Sequence, residues 1–322
     1  MTPTPPPFDP ELAAALALVA DAAPTGLTLE SLAAQRAATD ALPSTLDELR
    51  AHGLVDTEEL TVPGTDSVPE IPLLVCRPPG LVGPRPVVYY MHGGGMVMGS
   101  NRHGLDVALE WALELDAVLV SVEYRLAPEH PHPAPVEDCY TGLLWTTAHA
   151  AEIGGDPGRV VLAGTSAGGG LAAAVALLAR DRKGPAVVGQ VLMCPMLDDR
   201  NDTPSAHQMA GLGLWDRASN ATGWRALLGE LAPDVEVSPY AAPARSVDLS
   251  GLPPAFIDVG SAETFRDEDI AYATGIWLAG GEAELHVWPG GFHAFDAFAP
   301  HAGLSQEART SRLRWLRRLL GD

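Results

Sequence analysis

The chain has 322 residues, 47% of them hydrophobic, enough to bury a large core in one α/β domain. Its 41 acidic against 20 basic residues give a formal net charge of -21, which argues against nucleic acid or an anionic membrane as partner. Three cysteines (Cys76, Cys139, Cys194), with no CxxC spacing and each in a segment that reads as buried, provide neither a disulfide framework nor a metal site and point to a reducing, cytoplasmic compartment.

Thr2 to Pro10 is proline-rich and reads as an extended or disordered arm. Glu11–Ala23 and Leu29–Leu54 read as helices. No lysine or arginine precedes Arg36, so the apolar run Leu12–Ala20 lacks the positive flank of a secretory signal, and no run approaches a membrane span. Thr57–Val62 and Glu70–Arg77 fit an antiparallel edge hairpin. From Pro86 the pattern becomes strand and helix in alternation. Pro86–Met91 (strand), Gly104–Asp116 (helix), Ala117–Glu123 (strand), Pro135–His149 (helix), Arg159–Gly164 (strand), an alanine-rich helix and Val187–Cys194 (strand) follow one another. Such alternation predicts a mostly parallel sheet with helices on both faces. Asp198–Glu230 interrupts it as a loop-rich insertion without strand signals. Pro254–Val259, Arg266–Leu278, Ala283–Trp288 and Leu304–Leu320 then resume it, the first of these helices with Ile270, Ala273, Thr274, Trp277 and Leu278 on one stripe.

The chemistry centres on Val160–Gly170, where a short apolar strand passes through Gly164-Thr165-Ser166-Ala167-Gly168 into the helix. Small residues on either side of Ser166 suit a tight strand-to-helix turn that lifts the hydroxyl clear of the sheet, the pattern of a nucleophile elbow. A serine so placed needs a base, an acid to orient the base, and donors for an oxyanion. In chain order the acid and then the base should follow. His293, in Gly290-Gly291-Phe292-His293 after the last strand, is the candidate base, ahead of His286 and His301. Glu263 is the candidate acid and Asp267 the runner-up, because Asp258 still lies in a strand and Asp267, Glu268 and Asp269 open a helix where carboxylates suit the dipole. Gly94 and Gly95, in His92-Gly93-Gly94-Gly95, together with the N–H of Ala167, are the candidate donors, with His92 pinning the loop. Met96, Met98, Leu212, Leu214, Trp215 and Trp224, with the N-terminal helices, are expected to roof a closed apolar pocket; Met96, Leu214 and Trp215 are the candidate substrate contacts.

With HGGG at 92–95, YRLAPEHPHPAPVEDC at 124–139, GTSAGG at 164–169, FRDE at 265–268 and GFH at 291–293, the chain resembles the bacterial members of the hormone-sensitive-lipase-like esterases, in the subgroup with a GTSAG elbow. Thr165 stands where many members carry Asp, and Glu263-Thr264-Phe265 where Asp-Pro-Leu is usual. The resemblance implies an α/β-hydrolase core over residues 56–197 and 231–322, and a helical cap from residues 1–55 and 198–230. It further implies no cofactor, hydrolysis of small-molecule carboxylic esters, and homodimers joined through the last strand and helix. Tyr124–Pro131, with Arg125 and Glu129, is expected to support the fold beside the site. An amidase, lactonase or deacetylase would use the same residues. A non-catalytic ligand-binding relative, as in the plant gibberellin receptors, would lack the histidine that this chain retains.

Overall fold

The computed structural model describes residues 4–20, 26–41, 55–65, 68–229 and 236–321. Eight strands form one sheet: β1 (Asp56–Val62), β2 (Ile71–Arg77), β3 (Arg85–Met91), β4 (Val118–Val122), β5 (Gly155–Thr165), β6 (Gly189–Met193), β7 (Ala255–Gly260) and β8 (Ala283–Trp288). Their order is β1-β2-β4-β3-β5-β6-β7-β8. β1 and β2 form the antiparallel edge, with β2 antiparallel to β4, and every later pairing is parallel.

The uninterrupted apolar run of β3 follows from burial on both faces. Val87, Tyr89 and Met91 join the core on one side and Val88 and Tyr90 the core on the other, as a two-residue repeat requires. On the first side pack α4 (Ala134–Ala148), α5 (Ala167–Asp181) and α8 (Arg266–Leu278); on the second, α3 (Leu105–Glu114) and α10 (Gly303–Leu320), through Trp111, Trp315, Leu316 and Leu320. The remaining helices are α1 (Pro10–Ala20), α2 (Leu32–Asp40), α6 (Pro204–Gln208), α7 (Arg217–Leu228) and the single turn α9 (Phe295–Phe298). Met91 pairs with Gly164, Gly164 with Leu192, and Gly260 with Trp288, so β3, β5, β6, β7 and β8 finish along one edge of the sheet. Loops after parallel strands gather there, where α/β proteins hold their ligands.

Several expectations change. The proline-rich arm is extended and docked where it is described: Asp9 N–H donates to Gly290 O (3.0 Å), and the Phe8 ring meets Phe292 edge-on at 6.4 Å. The helix expected over Leu29–Leu54 is described only as α2, and residues 42–54, like 21–23 of the first helix, lie outside the described residues. The insertion is partly helical, because Thr203 caps α6 through Ala206 N–H and Asp216 caps α7 through Ser219 N–H. In α8 the buried face carries Glu268, Asp269, Tyr272, Ala273 and Ile276, leaving Trp277 and Leu278 exposed. The apolar stripe gave way because Glu268 is drawn inward to accept from the N–H groups of Leu197 (2.8 Å) and Asp198 (3.1 Å).

Candidate active site

Ser166 lies between β5 and α5 at φ 59°, ψ −121°, a conformation that non-glycine residues adopt only when their surroundings impose it. Its N–H donates to Met193 O (2.8 Å), and its carbonyl accepts from Gly170 (3.0 Å) and Met196 (2.9 Å). The turn closes this tightly because a Cβ on Gly164 would fall 2.2 Å from Gly168 O, and one on Gly168 2.0 Å from Met91 O. The side chain of Ser166 therefore leaves the turn toward the loops at the sheet edge.

There it meets His293. The Ser166 hydroxyl and His293 Nε2 are 2.9 Å apart, and His293 Nδ1 is 2.7 Å from Glu263 Oε2. All three residues are buried. With Nδ1–H donating to the carboxylate, Nε2 is free to accept the serine proton, the tautomer that general-base activation of a hydroxyl requires. Glu263 is oriented by Phe265 N–H, which donates to Oε1 (3.0 Å), and the Phe265 ring stands edge-on to the imidazole at 5.2 Å.

The competing residues are engaged elsewhere. Asp258 accepts from Arg312 Nη2 (2.7 Å) and Trp288 Nε1 (2.9 Å). His286 bonds Glu284 (2.9 Å) on β8, and His301 is exposed. Asp267 accepts from Ser205 N–H and Arg266 Nε, each at 2.7 Å. Arg125 is clasped by Asp138, and Glu129 binds Arg36, whose guanidinium holds that carboxyl down at about 2.

Gly94 (φ +120°) and Gly95 (φ +64°) curve beside Ser166. Among the described residues no group accepts from the N–H of Gly94, Gly95 or Ala167, which opens α5 where the helix dipole favours negative charge. His92 does pin this loop. Its Nδ1–H donates to Gly93 O (2.8 Å), and its ring stacks on Tyr124 at 4.1 Å, whose hydroxyl donates to His92 O (2.8 Å). Burial pushes His92 down to about 3, so it stays neutral. α2 grips the same loop from outside: Arg36 donates to Val97 O (2.6 Å) and, in the connection after β4, to Ala127 O (2.7 Å), and Thr39 O accepts from His103 Nε2 (2.8 Å).

A cavity of about 390 Å³ opens over Ser166, walled chiefly by Gly93–Gly95, Met98, Met193, Leu214, Trp215, His293 and Phe298. Met96 is not among its walls. Val97 and Met98 both donate to Gly94 O in a tight turn, which sends Met98 to the cavity and Met96 into the core. Trp224 is likewise buried in the core, Leu212 is surface-exposed, and among the described residues none from α1 or α2 lines the cavity. Cys194, expected only to be buried, also lies beside the site, its sulfur within 4.8 Å of ligand atoms of both Glu263 and His293. Burial pushes this thiol well up, so it is held protonated. Its place follows from β6 lying beside β7, a pairing that no local pattern carries.

A family model for the alpha/beta hydrolase fold matches residues 88–297, from within β3 to α9. The chain belongs to that family. It is 38% identical to the carboxylesterase NlhH of Mycobacterium tuberculosis over 283 residues, 86% of this chain and 85% of the relative. A solved bacterial heroin esterase superposes with a TM-score of 0.89 at 39% identity, over 97% of this chain and 98% of that one. The esterase LipW from Mycobacterium marinum does so with 0.85 at 32% identity, over 98% of each.

Proposed function

We propose that this α/β hydrolase is a serine carboxylesterase acting on short- to medium-chain carboxylic esters. The observation that carries the reading is the hydrogen-bonded line from Ser166 through His293 to Glu263, opening on a cavity rimmed by Gly94 and Gly95. In this reading His293 Nε2 takes the proton as Ser166 Oγ attacks the acyl carbonyl. The N–H groups of Gly94, Gly95 and Ala167 hold the resulting oxyanion, and Glu263 stabilises the imidazolium. The imidazolium returns its proton to the departing alkoxide, freeing an alcohol. Water, deprotonated by the same nitrogen, then attacks the acyl-enzyme; the acid is released and Ser166 regains its proton. Relatives named carboxylesterase or esterase support ester chemistry.

The same proposal assigns residues 1–55 and 198–230 to a cap over a core of residues 56–197 and 231–322. Among the described residues, Arg36 on one cap segment and Ser205 and Trp215 on the other reach the loops around Ser166. No described helix is long and apolar enough to cross a membrane; the proposed location is the cytoplasm. A homodimer through β8, an edge strand, and α10 belongs to the reading as well, and light scattering at micromolar concentration tests it.

The activity is tested with p-nitrophenyl esters from two to sixteen carbons and a parallel set of anilides and lactones. A methylene in an apolar pocket is worth about 1–3 kcal/mol. kcat/KM should rise from acetate toward butyrate or hexanoate and then fall, with Ser166→Ala lowering it by about four orders of magnitude or more. An optimum at twelve carbons or beyond, faster turnover of anilides, or a tenth of the rate left in Ser166→Ala would each overturn the reading.

A further inference from the structure

Trp215 stands where the segments around the serine converge. A Cβ placed on Gly95 would lie 2.3 Å from Trp215 Cη2, so the indole rests directly on the glycine. Its ring centre is 6.5 Å from that of His293, and it walls the cavity. The stretch that carries it, residues 210–215, contains Gly211 and Gly213, both at positive φ with open space around them. Such a stretch has little stiffness of its own. Its internal bonds are local: Leu212 N–H to Met209 O (3.0 Å), Gly211 N–H to Asp216 (3.0 Å), and Trp215 Nε1–H to Asn220 Oδ1 (3.3 Å). Among the described residues, one hydrogen bond reaches it from outside the insertion. Thr264 Oγ1 donates to Trp215 O at 2.7 Å. Thr264 is fully buried, directly follows Glu263, and is itself fixed by Ser205 Oγ, which donates to its carbonyl (2.8 Å).

We propose that Thr264 is a specificity-determining positioning residue: by holding the Trp215 carbonyl, its hydroxyl fixes the indole as the wall that limits the length of acyl chain. The inference rests on the esterase reading above. Losing the hydroxyl leaves the half-buried Trp215 carbonyl without this partner and a glycine-hinged segment without its tether to the acid turn. The indole then leaves Gly95 and the wall recedes.

The test replaces Thr264 with valine, which keeps the shape, and with serine, which keeps the hydroxyl. In Thr264→Val the ratio of kcat/KM for p-nitrophenyl butyrate to that for the octanoate should fall at least fivefold. The change should come through KM for the longer ester, and the pH profile of kcat should keep its wild-type midpoint. Thr264→Ser should restore the ratio. In a Trp215→Ala background, Thr264→Val should alter the ratio no further, because the wall it positions is gone. Chymotrypsin cleavage after Leu212 or Leu214, which needs no activity, should be several-fold faster in Thr264→Val. An unchanged ratio with unchanged cleavage overturns the tether. A uniform loss of kcat on every ester with a displaced pH midpoint also overturns it, since the hydroxyl would then serve Glu263. If no ester is hydrolysed by the wild type, the esterase reading fails while the cleavage rates still decide whether Thr264 holds this segment.

Discussion

The turn that carries Ser166 and the turn that carries Glu263 are both short connections from a strand to a helix, yet they are built by opposite means. Around Ser166 the side chains are missing: residues 168–170 are glycines, and a Cβ on Gly168 would collide with Met91 O. Its geometry is held by main-chain bonds to Met193, Met196 and Gly170. From Thr264 to Glu268 the side chains do the holding. Thr264 bonds Trp215, Arg266 bonds Gln208 (2.9 Å), Asp267 bonds Ser205 N–H, Glu268 bonds the N–H groups of Leu197 and Asp198, and Phe265 abuts His293. A turn shaped by steric absence is encoded within a few residues. One shaped by polar side chains depends on partners about fifty to seventy positions away, and it fastens the insertion to the residue beside the imidazole.

Neighbouring carboxylates of the second turn offer the sharpest way to break the comparison. Glu263→Gln should lower kcat by about four orders of magnitude, the scale on which an amide in that place stabilises the wrong imidazole tautomer. Asp267→Asn should leave kcat within about tenfold, because Asp267 faces Ser205 and Arg266 rather than His293. Steady-state rates on one butyrate ester decide it, and the reverse ranking would move the acid to Asp267. On the first turn, Gly168→Ala forces Cβ into a carbonyl, and overpacking of this kind costs about 1–3 kcal/mol or more. Thermal melting should show a drop of several degrees together with lost activity. A variant of wild-type stability and rate would mean that the elbow relaxes more easily than its contacts indicate.

That contrast also explains how much was readable in the sequence. Strands from β3 onward fall within a few residues of their predicted places; for β3, β4, β6 and β7 this is because burial on both faces leaves an apolar run. Strand-to-helix punctuation and chain order nominate Ser166, Glu263 and His293, with Asp267 as runner-up for the acid, and the fold brings the first three within hydrogen-bonding distance. Met96 was assigned to the cavity because spacing alone cannot tell which side of a tight turn a side chain leaves from. The inward face of α8 was misjudged because two N–H donors on a distant loop, Leu197 and Asp198, draw the Glu268 carboxyl inward as their acceptor, against its own hydropathy. Burial of Cys194 is legible locally, but its nearness to Glu263 and His293, like the bond of Thr264 to Trp215, arises only from a neighbouring segment.

The smallest expected effect concerns Asp269, one helical position beyond the side chains that do the fastening. It is fully buried, neither oxygen has a partner among the described residues, and burial together with Glu268, Glu263 and Asp258 pushes its carboxyl well above the usual range. A carboxyl whose pKa is raised by folding binds its proton more tightly in the native state, so the native state holds more protons than the unfolded one above the unfolded pKa of about 3.9. Stability is then fully present below that pH and is lost as pH rises toward the folded pKa. Asp269→Asn keeps the shape but never ionises, and it removes this dependence. Melting temperatures of the two proteins, measured from pH 4 to pH 9, should therefore diverge in favour of the variant as pH rises, by a few degrees across the range. Whatever constant offset the amide introduces cancels in the slope. A gap that stays flat with pH would show that Asp269 ionises as easily in the folded chain as in the unfolded one, and that water or a partner reaches it after all.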